Sequence, residues 1–171
     1  MTPFEMQDTL DSMVVLVDTR EQPSKRAEQR YKSFGCPYRR QKLDFGDYSA
    51  EFILPDGQAV QLNAAVERKM SLDELAGCFT HDRKRFKAEF ERGAAAGASM
   101  WLLVENATWE NLLAEKYRSK FNCKAFLASI TAWSVRYGLK LIFCKEQSSG
   151  RLIKEILFRE MKERIERGEY G

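Results

Sequence analysis

The chain has 171 residues, 44% of them apolar and 31% charged, with a formal net charge of +3. That size suits one domain with a real core, and no apolar run approaches the roughly 20 residues that span a bilayer. Met1 to Asp11 carries Glu5, Asp8 and Asp11 rather than a basic-then-apolar leader, so an intracellular, cytoplasmic location is expected. Cys36, Cys78, Cys123 and Cys144 lie far apart with no C-x-x-C pair, a pattern of reduced, packed thiols rather than a zinc site. Neither G-x-x-x-x-G-K-[ST] nor G-x-G-x-x-G occurs, so no ATP motor or dinucleotide enzyme is signalled. His81 is the only histidine, which removes most histidine-dependent reaction schemes.

In chain order, Met13 to Val17 is a continuous apolar run, the pattern of a strand covered on both faces. Pro23 to Ser33 is polar and helix-tolerant until Gly35 and Pro37 stop it. Tyr48 to Leu54 and Val60 to Lys69 alternate around Pro55-Asp56-Gly57, which predicts a hairpin. A helical stretch follows from Leu72, then a charged one from Asp82 to Arg92, ended by Gly93 and Gly97. Met100 to Val104 predicts a second buried strand. Phe126, Ile130, Trp133 and Tyr137 fall at helical spacing, Gly138 closes that helix, and Leu139 to Cys144 predicts a third buried strand. After a turn at Ser148-Ser149-Gly150, Ile153, Ile156, Leu157, Met161 and Ile165 mark an amphipathic helix over 150–168, with its stripe suited to closing the core. The order predicts a single α/β domain over 1–171.

The modest net charge is unevenly spread. Lys25, Arg26, Arg30, Lys32, Arg39, Arg40 and Lys42 face Glu28 alone, and Lys116, Arg118, Lys120, Lys124, Arg136 and Lys140 lie in a stretch with no acid. Such clusters suit phosphate contacts, or equally a solvated face balanced by the acidic C-terminal part.

The hairpin is the informative segment. Side chains alternate along a strand, so Glu67 and Lys69 share a face, as do Asp47, Ser49 and Glu51 on the other strand. A three-residue loop over Pro55-Asp56-Gly57 pairs Leu54 with Gln58 and puts Asp47 opposite Ala65, diagonal to Glu67 and on its face. A two-residue loop would turn Asp47 away, but the apolar faces of the two strands match only in the first register. Two carboxylates and an ammonium at one sheet edge suit phosphodiester hydrolysis. A Mg2+ ion, with Mn2+ able to substitute, would be held by Asp47, Glu67 and the carbonyl of Arg68. Lys69 would orient the water or stabilise developing charge. Asp18, after the first buried strand, and Glu21 would add negative charge to the same edge.

Val17-Asp18-Thr19-Arg20-Glu21, Gly46-Asp47-Tyr48 and Val66-Glu67-Arg68-Lys69 with Asp73 occur in that order. This resembles the XPF-type structure-specific endonuclease family, whose signature is V-D-x-R-E, then G-D, then E-R-K-x-x-x-D. The likeness covers most of 13–144 and includes Arg85-Phe86 and the Leu102 to Glu105 strand. It implies a restriction-endonuclease-like three-layer sandwich with a central mixed sheet flanked by helices. It also implies Asp47 and Glu67 as metal ligands, Lys69 as the catalytic lysine and Asp18 with Glu21 on the acidic edge. Arg20 and Arg68 would support the site, and Asp73 would hold the helix start. The family cuts branched DNA such as flaps and forks, and Arg85, with Arg83 beside it, becomes a candidate DNA contact. Family nuclease domains often dimerise through late helices, so a homodimer is a further expectation. The chain has no room for the tandem helix-hairpin-helix module or helicase often found in the family, and so looks like stand-alone phage or prophage versions.

Other groups read more simply. His81 suits a cap or a phosphate contact, and Trp101, Trp109 and Trp133 suit the core. Two functional readings stand: an endonuclease on DNA, with RNA left open, and a catalytically silent module that holds branched DNA for a partner.

Overall fold

The computed structural model of the chain describes residues 1–169. In order it contains α1 (Pro3–Asp11), β1 (Val14–Val17), α2 (Lys25–Lys32), β2 (Tyr38–Arg40), β3 (Tyr48–Ile53), β4 (Ala59–Gln61) and β5 (Ala64–Lys69). There follow α3 (Leu72–Phe79), α4 (Arg83–Ala95), β6 (Ser99–Glu105), α5 (Trp109–Leu113), α6 (Cys123–Tyr137), β7 (Lys140–Cys144) and α7 (Glu146–Arg167). The strands make one sheet in the order β2-β1-β3-β5-β6-β7, with β4 also paired to β3. β5, β6 and β7 run parallel, while β3 runs antiparallel to both β1 and β5. The carboxyl ends of β1, β5, β6 and β7 and the start of β3 therefore meet at one sheet edge.

Helices cover both faces. On one, α1, α2 and α7 bury Leu10, Tyr31, Ile153 and Leu157 against Val15, Tyr48, Ala50, Phe52 and Val66. On the other, α3, α4 and α6 bury Leu75, Phe79, Phe86, Phe90, Phe126 and Trp133 against Ala65, Leu102 and Val104. The Trp133 ring lies 4.9 to 5.3 Å from those of Phe79, Phe86 and Phe90, in the offset and edge-on contacts that aromatic quadrupoles favour. This is the expected mixed sheet between two helical layers, and the stripe from Ile153 to Ile165 is consumed in closing it.

Several elements differ from the sequence reading. α4 continues through Gly93, whose missing side chain makes room for Met100; an added Cβ would sit 2.8 Å from its Cγ and Sδ. Ser148-Ser149-Gly150 is no turn but the first turns of α7, which starts at Glu146. α1 and β2 were not anticipated. β2 is an edge strand with all three residues exposed, so it carries no apolar alternation to read.

The hairpin register begins as expected. Phe52 pairs with Val60, and Leu54 N donates to the Gln58 carbonyl. Tyr48, however, pairs with Val66, two residues beyond where that register would put it. The extra residues bulge between Gln61 and Val66. Ser49 Oγ fastens the bulge by donating to the carbonyls of Leu62 and Ala64, at 3.2 and 2.8 Å. A shift of two keeps every side chain on its face. Asp47 thus faces Glu67 directly, not Ala65 as the sequence reading had it.

Candidate active site

Asp47 sits just before β3, held by its own backbone. Its N–H donates to the Val66 carbonyl at 2.9 Å, and its carbonyl accepts from Asp18 N at 2.8 Å. The preceding Gly46 has φ +73°, and a Cβ there would lie 2.6 Å from Ala65 Cβ. Only glycine allows that approach, which is the physical content of the G-D pair. Asp47 Oδ2 accepts from Arg68 N at 2.7 Å, locking the carboxylate across the hairpin. From β5, Glu67 Oε1 accepts from Lys69 Nζ at 2.6 Å, and that ammonium lies 5.2 Å from the Phe86 ring centroid.

These groups line a cleft of about 300 Å³ together with Arg20, Cys78, Asp82, Arg85, Phe86, Glu89 and Arg92. Burial, and then the charge of Glu67, push the Asp47 carboxyl well above its ordinary range. Burial likewise raises Glu67, although Lys69 opposes it. Burial alone would lower Lys69, but the charges of Glu67 and Asp47 outweigh it and hold the ammonium protonated. The pocket thus sets two carboxyl groups that burial drives toward their protonated form beside one ammonium that stays charged.

The remaining predicted groups divide around this cleft. Asp18 is fully buried and does not line it. Its Oδ1 accepts from Arg20 N and Nε at 2.8 and 2.6 Å, and its Oδ2 from Leu43 N at 2.7 Å. Burial would raise its pKa, but those hydrogen bonds leave it lowered. Asp18 thereby aims Arg20 into the cleft. Glu21 and the Arg68 side chain lie behind the sheet instead. Arg30 NH1 donates to Glu21 Oε1 at 2.6 Å and to Tyr48 OH at 3.1 Å. Glu105 accepts from Arg30 Nε at 3.3 Å and from Arg68 NH1 at 3.0 Å. Arg85 is exposed on the cleft wall, whereas Arg83 donates to the Phe79 carbonyl at the end of α3. His81 is exposed beside Asp82 and Thr80 and lies outside the cleft.

Glu89 is a site residue that the sequence pattern does not single out. It is buried in the cleft, where Oε1 accepts from Gly46 N at 2.8 Å and from Arg20 at 3.4 Å, and Oε2 accepts from Arg92 at 2.9 Å. The signal was present. Glu89 follows Phe86 by three residues and precedes Gly93 by four, which puts it on the inward stripe of α4.

The fold belongs to the restriction-endonuclease-like α/β class. The ERCC4 domain family matches residues 17–156, so the chain belongs to that family, one of DNA nucleases. Two solved structures agree. XPF from Aeropyrum pernix is 22% identical with a TM-score of 0.62, over 91% of this chain and 69% of that one. XPF from Aeropyrum pernix in complex with DNA is 25% identical with a TM-score of 0.61, over 88% and 65%. This chain thus spans about two-thirds of those proteins. No match is found among curated protein sequences.

Proposed function

We propose that the chain is a single nuclease domain that hydrolyses DNA phosphodiesters with a divalent cation, Mg2+ or Mn2+, at branched or junction DNA. The observation that carries this reading is the meeting of Asp47, Glu67 and Lys69 in one cleft. Among the described residues no three His, Cys, Asp or Glu side chains cluster as a metal site. The donor set nonetheless fits a hard cation that keeps several waters: the carboxylates of Asp47 and Glu67, which a cation would hold ionised, and the Arg68 carbonyl between Glu67 and Lys69. Such a cation, when bound, supplies Lewis-acid polarisation of the phosphate and a water acidic enough to react near neutral pH.

The chain's own groups do the rest. Asp47 and Glu67 would hold and orient, with Asp47 fixed by the Arg68 N–H. Lys69 stays protonated and would stabilise charge developing on the phosphate. Asp18 and Glu89 would position Arg20, and Arg85 would meet a neighbouring phosphate. Glu21 and the Arg68 side chain would brace the sheet edge from behind. A branched-DNA substrate would be met inside the cell, and among the described residues no helix is long and apolar enough to cross a membrane. A homodimer would need a surface other than the stripe of α7.

The test incubates the protein with flap, fork, single-stranded and duplex DNA in Mg2+, Mn2+ or chelator. Cleavage that needs metal and is lost in Asp47→Asn and Lys69→Met, with folding kept, supports the reading. Losses of about 10² to 10³-fold are expected for the lysine. Branched-DNA binding without any cleavage would instead establish the silent module.

A further inference from the structure

We propose that the exposed segment Lys116–Lys120 is a DNA-backbone rail beside the cleft, and that Asp73 is the positioning residue that holds it there. This rests on the reading of the cleft as a DNA-cutting site, and adds where the nucleic acid runs.

Asp73 does not cap its own helix. That task falls to Ser71, whose Oγ accepts from Glu74 N. Instead Asp73 Oδ1 accepts from the backbone N–H groups of both Arg118 and Ser119, each at 2.7 Å. The Arg118 guanidinium approaches the other oxygen at 3.6 Å. A carboxylate taking two backbone donors is a strong, geometry-defining contact. The segment is also built from within. Lys116 N donates to the Asn111 carbonyl, Tyr117 OH to the Phe121 carbonyl, and Phe121 N to Ser119 Oγ. The Tyr117 ring packs edge-on to Phe126 at 5.5 Å.

With Tyr117 and Ser119 turned inward, Lys116, Arg118 and Lys120 are left exposed, and the Arg118 side chain is 94% accessible. Three cations at alternate positions, all facing water, have no acid after them until Glu146. Their location follows from topology. β6 runs parallel to β5, so the chain leaving it arrives at the edge that carries Glu67 and Lys69. Asp73 itself follows Lys69 by four residues. The cleft's own cations are largely engaged, Arg20 by Asp18 and Arg92 by Glu89. Arg85 is left to meet one neighbouring phosphate, those farther along the strand need other partners, and this segment offers them.

The test compares wild type with Asp73→Ala, Asp73→Asn and the triple variant Lys116→Ala/Arg118→Ala/Lys120→Ala. Binding to labelled fork, duplex and single-stranded DNA is followed by fluorescence anisotropy in chelator over a range of salt. Cleavage is measured separately. The triple variant should lower the slope of log K against log salt by about 2 to 3 for duplex, and weaken binding about tenfold or more at 0.1 M salt. Asp73→Ala should weaken binding in the same direction. Asp73→Asn should behave as wild type, since its amide oxygen still accepts both N–H groups. An unchanged slope in the triple variant overturns the rail, even where the wild type cuts DNA. Asn as damaging as Ala overturns the positioning role. A wild type that binds through these cations without cutting keeps the rail and ends the nuclease reading. Where Asp73→Ala fails to fold, the exposed triple variant and Asp73→Asn decide.

Discussion

At the scale of single residues, the cleft is built against stability. Asp47 and Glu67 each lose hydration, and Asp47 also feels the charge of Glu67 and Glu67 that of Glu89, so both carboxyl groups hold protons more tightly in the folded chain than in the unfolded one. Their contribution without metal is thus most favourable below the ordinary carboxylate range, and is lost as pH rises through the raised folded values. Asp47→Asn removes this charge while keeping an oxygen for the Arg68 N–H. In chelator at neutral pH it should raise Tm, by about 2 to 4 °C for each kcal/mol relieved. Wild type should instead be the variant that Mg2+ stabilises, by about 2.7 kcal/mol at one hundred times its Kd. Thermal melts of both proteins with and without Mg2+ check this; a lowered Tm for Asp47→Asn in chelator would refute the account.

At the scale of elements, much was legible because buried surfaces impose a period. The apolar runs at 13–17, 100–104 and 139–144 became β1, β6 and β7, and the stripes at 126–137 and 153–165 became α6 and α7. Where no surface is buried there was nothing to read, as in β2. α1 is a different case. Its capping box, Thr2 with Glu5, and Pro3 at the first helical position were present, and the helix went unread because its apolar face is short. Glycines misled most. Gly93 reads as a helix end and Gly150 as part of a turn, yet both lie inside helices where another element comes close. A Cβ on Gly150 would fall well inside contact distance of Ser33 Oγ and the Arg30 carbonyl of α2. Gly150→Ala should therefore force α7 from α2 and cost about 1 to 3 kcal/mol, measured by denaturant unfolding. An unchanged midpoint would mean that the two helices part freely.

At the scale of the whole molecule, the site's front and back are held by different physics. The front is a cleft whose two central carboxyl groups are pushed up by burial. The back is a buried ionic cluster in which Glu105 of β6 joins Arg30 of α2 to Arg68 of β5, with Glu21 completing the ring. Removing one partner leaves guanidinium charge stranded in the interior. Glu105→Ala should cost about 3 to 5 kcal/mol. It should also lower turnover by loosening the peptide between Glu67 and Lys69, in excess of any loss from unfolded protein. Unfolding and single-turnover cleavage on the same preparation separate the two effects. The catalytic candidates were legible because they obey strand parity. The bracing cluster was not, because its members come from distant stretches that only the packed fold unites.

The bulge fastened by Ser49 leaves the far half of the hairpin free to vary. Grafting a short flexible peptide between Asp56 and Gly57 lengthens only the tip, so cleavage and Tm should hardly change. Deleting one residue from 62–63 would reverse the outlook of everything beyond it and should abolish both. The tip is thus the natural place to attach a label or a fusion partner, with the chemistry insulated from whatever is added there.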